Sequence, residues 1–218
     1  MVRLGFDWID VLLSDNNFSL NERVRPAYLA AQSVLHKAHR ERIAICEQQI
    51  HNVASEEEYS EAHSGLMDEE FRWGEQSQAL SAMALTLTAS ANKSFLDQMK
   101  RLFTQSHPPD PKYPGPSQLQ RQVSEYKARF GVDLEKITAF ETIREVELAR
   151  HCCVHDEGRL SKDYCEQTKQ RLVGTHGYID ITPESLATLL SEIGQFSRGL
   201  AVEMKIVRDM HGNSKKVD

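Results

Sequence analysis

The densest chemistry in this 218-residue chain lies in one run, Glu147-Leu-Ala-Arg150-His151-Cys-Cys-Val-His155-Asp156-Glu157-Gly158. Spacing predicts a helix that begins near Asp133 and ends near His155, closed by Asp156, Glu157 and Gly158. Leu134, Ile137, Phe140, Arg144, Glu147, His151 and His155 recur every three or four residues, apolar above and polar below. Ideal geometry separates Arg150 from His155 by about 140° around the axis, a gap that a long arginine can span. His155 falls in the last turn, where the helix dipole favours an imidazolium. An imidazole moves protons near neutrality. A guanidinium beside it stabilises charge on a phosphoryl group. Those two functions suffice for metal-free RNA cleavage, in which a base deprotonates a ribose 2′-hydroxyl and that oxygen attacks the adjacent phosphate.

Two other readings of the same residues stand beside this one. In the first, Arg150 only pairs with Glu147 or Glu145, and His155 only bonds to the last carbonyls of the helix. In the second, Glu147, His151 and His155, at i, i+4 and i+8, share a helix face, and the two histidines hold zinc with further ligands from Cys165 or His176. No HExxH glutamate accompanies them. The region is not basic: between 144 and 171, Arg144, Arg150, Arg159, Lys162, Lys169 and Arg171 are matched by six carboxylates. GTHG at 174–177 lacks the spacing and lysine of a phosphate loop. No Gly-x-Ser-x-Gly elbow occurs. Neither a metal nor a cofactor is therefore expected. His36, His39, His51 and His63 read as solvated.

These residues need a frame, and the periodicity is helical throughout. Residues 1–17 form a short helix packed on the body, and Asn16, Asn17 and Ser19 mark a turn. A helix follows from about Asn21 to Val53, with Pro26 in its first turn. Ser55 and Glu58 form a capping box, and Glu56 and Glu57 suit the positive end of the dipole. That second helix runs from about 56 to Phe103, kinked near Gly65 or Gly74. Its stretch Ala79–Ala91 is apolar on nearly every side, so it is buried all round or lies in a subunit interface. Residues 104–117 hold five of the seven prolines and connect across the end of the bundle in extended form. A third helix spans 117–130, closed by Gly131. After the motif helix, Ser161 caps a short helix to about Leu172, and 174–181 is a loop with short extended character. Thr182 caps a last helix with Pro183 at its first position. One domain is expected, with bundle at 18–209 and a frayed tail at 210–218.

Composition agrees with that frame. Hydrophobic residues make up 40% and charged residues 27%, the balance of a globular chain. A net charge of −6 argues against a protein that coats nucleic acid over its whole surface, so contact with RNA is local. Cys46, Cys152, Cys153 and Cys165 contain no CxxC pair, and adjacent cysteines rarely bridge, so reduced thiols are expected. Asp7 and Asp10 interrupt the apolar N-terminus, which is not a signal peptide. No run of 18 apolar residues occurs. A cytoplasmic, soluble chain without membrane contact is expected.

An arginine followed by a polar residue, three more residues and a histidine at the end of a bundle helix resembles the HEPN superfamily motif, Arg-x4-6-His. The Asp-Glu-Gly that follows is similar too, as is the order of helices over roughly 20–208. The resemblance implies an all-α, HEPN-like antiparallel bundle with long helices. It implies a metal-independent endoribonuclease of a toxin, stress or anti-phage defence system, with an antitoxin or defence-system protein as partner. It also implies a homodimer in which two motifs face each other, with Arg150 and His155 as the principal pair and His151 orienting or contacting phosphate. The alternative within the superfamily is a non-catalytic module that binds a partner protein or RNA.

Overall fold

A computed structural model describes residues 7–103, 113–174 and 177–214, with side chains described to residue 210. The described chain is an all-α bundle: α1 (Trp8–Phe18), α2 (Arg25–His51), α3 (Glu56–Phe103), α4 (Gln118–Phe130), α5 (Phe140–His155), α6 (Lys162–Gln167) and α7 (Pro183–Ser214). The expected extended character near 174–181 is present as two isolated antiparallel bridges, Arg159 with Tyr178 and Val173 with Ile179. Among the described residues no helix is long and apolar enough to cross a membrane.

Helix α3 is the spine. At 48 residues it extends about 72 Å, and α1, α2, α5 and α7 all pack on it. Its start is capped from both sides: the Glu58 N–H donates to Ser55 Oγ, while the Glu58 carboxylate accepts from Ala54 N rather than from Ser55. The helix continues through Gly65 and Gly74. Its C-terminal half joins the core: Leu80, Ala84, Leu85, Ala89, Phe95, Leu96 and Met99 are buried with Phe140, Phe196, Leu200 and Met204. The apolar run 79–91 is not hidden on every side, because Met83 and Leu87 remain exposed.

The N-terminal half of α3 leaves the body and pairs with α2, whose one fully buried residue is Tyr28. The seam of this two-helix arm is polar. His39, half-buried rather than solvated, stacks on Trp73 with ring centroids 4.7 Å apart. One turn away, buried Glu69 accepts from Arg42 and Arg72.

Four boundaries differ from the sequence expectation. The turn at Asn16–Ser19 is absent. Residues 19–24 form a π-helical segment that joins α1 to α2, with Arg25 N–H bonded to Leu20 O. The wider ladder accommodates Pro26, which lacks an N–H, and Asn16 turns inward to donate to Ser197 Oγ at 2.8 Å. The motif helix starts at Phe140, not Asp133. Leu134–Lys136 form one 3-10 turn, and Ala139 takes a left-handed conformation, φ 67°, before α5 begins. Helix α6 stops at Gln167, where Thr168 returns its hydroxyl to Tyr164 O. The caps expected at Gly131, Ser161 and Thr182 fall in place, with Gly131 left-handed after Phe130, Ser161 on α6 and Thr182 before Pro183, and α4 also starts from a capping box of Ser117 with Gln120. Helix α7 runs to Ser214, past the start of the expected frayed tail. Of the proline-rich stretch, 104–112 lie outside the described residues, as do 1–6 and 215–218.

Helix α7 meets the 3-10 turn at Gly199, where a Cβ would come within 2.7 Å of Ile137 Cγ2. An exposed helical Gly→Ala change ordinarily stabilises by about 1 kcal/mol. Here Gly199→Ala overpacks the contact and is expected to destabilise by roughly 1–3 kcal/mol. Urea denaturation checks this, and a stabilised variant would contradict the close approach.

Candidate active site at the end of helix α5

The buried face of α5 is Thr142, Ile143, Glu145, Val146, Ala149 and Cys152, and the polar face carries Glu147, Arg150, His151 and His155. The motif side chains therefore stand on the surface, as the register requires. His151 and His155 are exposed, one turn apart, with ring centroids 4.5 Å apart. Arg150 is about one-third exposed, and its Nε and a terminal nitrogen donate to Glu147 Oε2 at 3.4 Å. These are long contacts between partly solvated groups, in the class that contributes about 0–1 kcal/mol. The structure brings the two histidines together and leaves Arg150 with Glu147, not with His155.

The chain reverses directly after His155. Asp156 and Gly158 N–H both donate to Cys152 O, at 3.0 and 2.9 Å. Glu157 and Gly158 are both left-handed, φ 54° and 81°. Gly158 is buried, and its carbonyl accepts from Ile179 N at 2.8 Å. Glycine suits a positive φ, whereas Glu157 costs about 1–2 kcal/mol there. Cys152 is buried, with Sγ 3.4 Å from the Ser161 hydroxyl. Burial, with Cys152 alongside, pushes the Cys153 thiol up to about 11, which keeps it protonated and unreactive. All four cysteines are free.

Among the described residues no group of three or more His, Cys, Asp or Glu side chains converges as a metal cage. Glu147, the proposed third ligand beside the histidines, is instead engaged by Arg150. His176 lies outside the described residues.

One set of residues was not singled out from the sequence. Glu145, considered above only as a partner for Arg150, is 1% exposed. Its carboxylate accepts from Arg171 N–H and Arg171 Nε, both at 2.7 Å, and from the Tyr164 hydroxyl at 3.2 Å. Arg171 also donates to Glu192 at 2.8 Å and to Thr142 at 3.0 Å, and the Thr142 hydroxyl donates to Glu192. The network ties α5, α6, the 170s loop and α7 together behind the histidines. The signal was Glu145 falling on the stripe Thr142, Val146, Ala149, Cys152, visible only once α5 starts at Phe140.

Removing the buried carboxylate leaves the Arg171 N–H and the Tyr164 hydroxyl without their acceptor. Glu145→Ala is expected to cost roughly 3–5 kcal/mol, a fall in melting temperature of about 10 °C for a chain of this size. Burial alone would raise the Glu192 carboxyl, but hydrogen bonds from Thr142 and Arg171 and the Arg171 charge hold it below the ordinary 4.5. A depressed folded value means the stabilisation is full above that ordinary value and fades as pH falls through the folded one. Urea midpoints should therefore drop below about pH 4.5, and less steeply in Glu192→Gln. Equal slopes in both proteins would remove Glu192 from the account.

No family model, no characterised protein and no solved structure matches the chain, so its chemistry has to be read from its own side chains.

Proposed function

We propose that this is a HEPN-like helical protein that cleaves RNA without a metal, as a homodimer, in a toxin, stress or defence setting. The observation that carries the reading is the exposed His151–His155 pair at the end of α5, with Arg150 on the same surface. His155 takes the proton from a ribose 2′-hydroxyl. The oxygen attacks phosphorus, the 5′-oxygen leaves and takes up a proton, and the products are a 2′,3′-cyclic phosphate and a 5′-hydroxyl. Arg150, drawn off its weak contact with Glu147, clamps the phosphoryl oxygens, and His151 orients the phosphate. A second motif, from another copy, supplies the remaining charge. Met83, Leu87 and Val154, all exposed, give such a dimer apolar surface to bury.

The Arg150–Glu147 contact favours a second reading, a non-catalytic module of the same kind that binds a protein or RNA. Cleavage separates the two. In the enzyme, activity persists in EDTA and leaves cyclic phosphate ends. His155→Ala abolishes it. Arg150→Ala costs roughly 2.7–4 kcal/mol of transition-state stabilisation, and Arg150→Lys restores little because a point charge does not replace a fork. Cys152→Ser and Cys153→Ser turn over normally. Full activity in His155→Ala would refute the assignment, and chelator-sensitive cleavage would move it to a metal. Light scattering that shows only monomer at micromolar concentration would remove the composite site.

A further inference from the structure

The acidity of the chain is concentrated. Between Glu56 and Glu75 stand eight carboxylates and one arginine, a net of −7 against −6 for all 218 residues. Glu69 is buried in the arm seam with Arg42 and Arg72, and the other seven carboxylates are exposed. Two large apolar side chains, Met67 at 57% exposure and Phe71 at 70%, sit one turn apart in the same stretch. Where the arm joins the body, a groove of about 740 Å³ runs between α3, the turn after α5 and Tyr178. Phe71, Ala79, Ala82 and Cys153 give it apolar lining. Glu70, Glu75 and Glu157 are its carboxylates, and Arg159 is the single cation among its described lining residues. At Gly74, also in the lining, a Cβ would meet nothing within 4 Å.

We propose that this groove seats an amphipathic helix of a partner protein, apolar on one face and flanked by lysine and arginine. Exposed Phe71 in the groove wall, with Ala79, Ala82 and Cys153 beside it, supplies the anchor surface that an i, i+3, i+4, i+7 apolar face requires, and exposed Met67 extends that surface one turn beyond the groove. The carboxylates around them select cationic flanks and repel a nucleic-acid backbone. A second copy of this chain is the wrong occupant: a two-fold contact sets a patch against itself, so Glu70, Glu75 and Glu157 would meet their own equivalents. The groove and the histidine pair are separate features, and this proposal does not rest on the ribonuclease reading.

The probe is a fluorescent synthetic helix of about 18 residues, leucine on one face and lysine on its flanks, titrated into the full chain and followed by anisotropy. Saturable one-to-one binding is expected, weakening about tenfold between 50 and 300 mM salt as the charges are screened. Phe71→Ser removes an exposed anchor and Gly74→Phe fills open space, so both variants fold. Each is expected to weaken binding at least tenfold. Heat-stable variants that bind the peptide as well as wild type would overturn the proposal. So would equal binding of a scrambled peptide of the same composition, or concentration-dependent self-association that blocks the groove. RNA cleavage, measured in parallel, is expected to be unchanged in both variants without peptide. Failure of the histidine site and failure of this groove are therefore read separately.

Discussion

A buried carboxylate holds the C-terminal end of α5, with the candidate site on it, in place. Glu145 stands on the core side of α5, where an unpaired charge would cost several kcal/mol. It is satisfied by a backbone N–H, a guanidinium nitrogen and a phenol. Those three donors come from Arg171 and Tyr164, so α5 adopts its register only when α6 and the following loop are docked. The same guanidinium reaches Glu192 on α7. Fixing Glu145 inward fixes Arg150, His151 and His155 outward, because the rotation of a helix is one variable. The exposure of the histidine pair is thus a consequence of packing on the opposite face.

The arm is governed by a related rule. A two-helix hairpin that leaves the body has only one neighbour to bury against, and its seam is correspondingly partial. Glu69 between Arg42 and Arg72, with His39 stacked on Trp73, places charge and rings where a bundle core would place leucine. A polar seam of this kind sets register more than it adds stability. It pairs the acidic first half of α3 with α2, and the same helix runs on without a break into the core-forming second half. One continuous helix therefore carries a strongly anionic, sparsely packed segment directly into the wall of the groove beside the α5 turn.

The two surface features differ in electrostatic character although they adjoin. The face of α5 offers imidazoles and an arginine in a weak, partly solvated pair with Glu147. The groove beside it offers apolar surface among carboxylates.

Much of this was legible in the sequence because local signals agreed. The long α2 and α3, the Ser55–Glu58 start, Gly131 and Thr182-Pro183 are decided by capping chemistry and period, and they stand where expected. The type and placement of Arg150, His151 and His155 at a helix end were legible for the same reason. The misreadings are places where tertiary contact overrides local propensity. Asn16 and Ser19 read as a turn, yet a buried partner on α7 and a π-helical segment keep the chain helical. Asp133 read as a helix start, yet the Ala139 conformation delays α5 and moves Leu134 and Ile137 off it. That shift decides which side of α5 Glu145 faces, and through it the network with Arg171, Tyr164 and Glu192. No spacing rule joins residues 145, 164, 171 and 192, since only the packing of three elements brings them within hydrogen-bond reach. The sequence by itself determined which residues can do chemistry; the tertiary structure decided which of them face water, because exposure depends on what covers the other side.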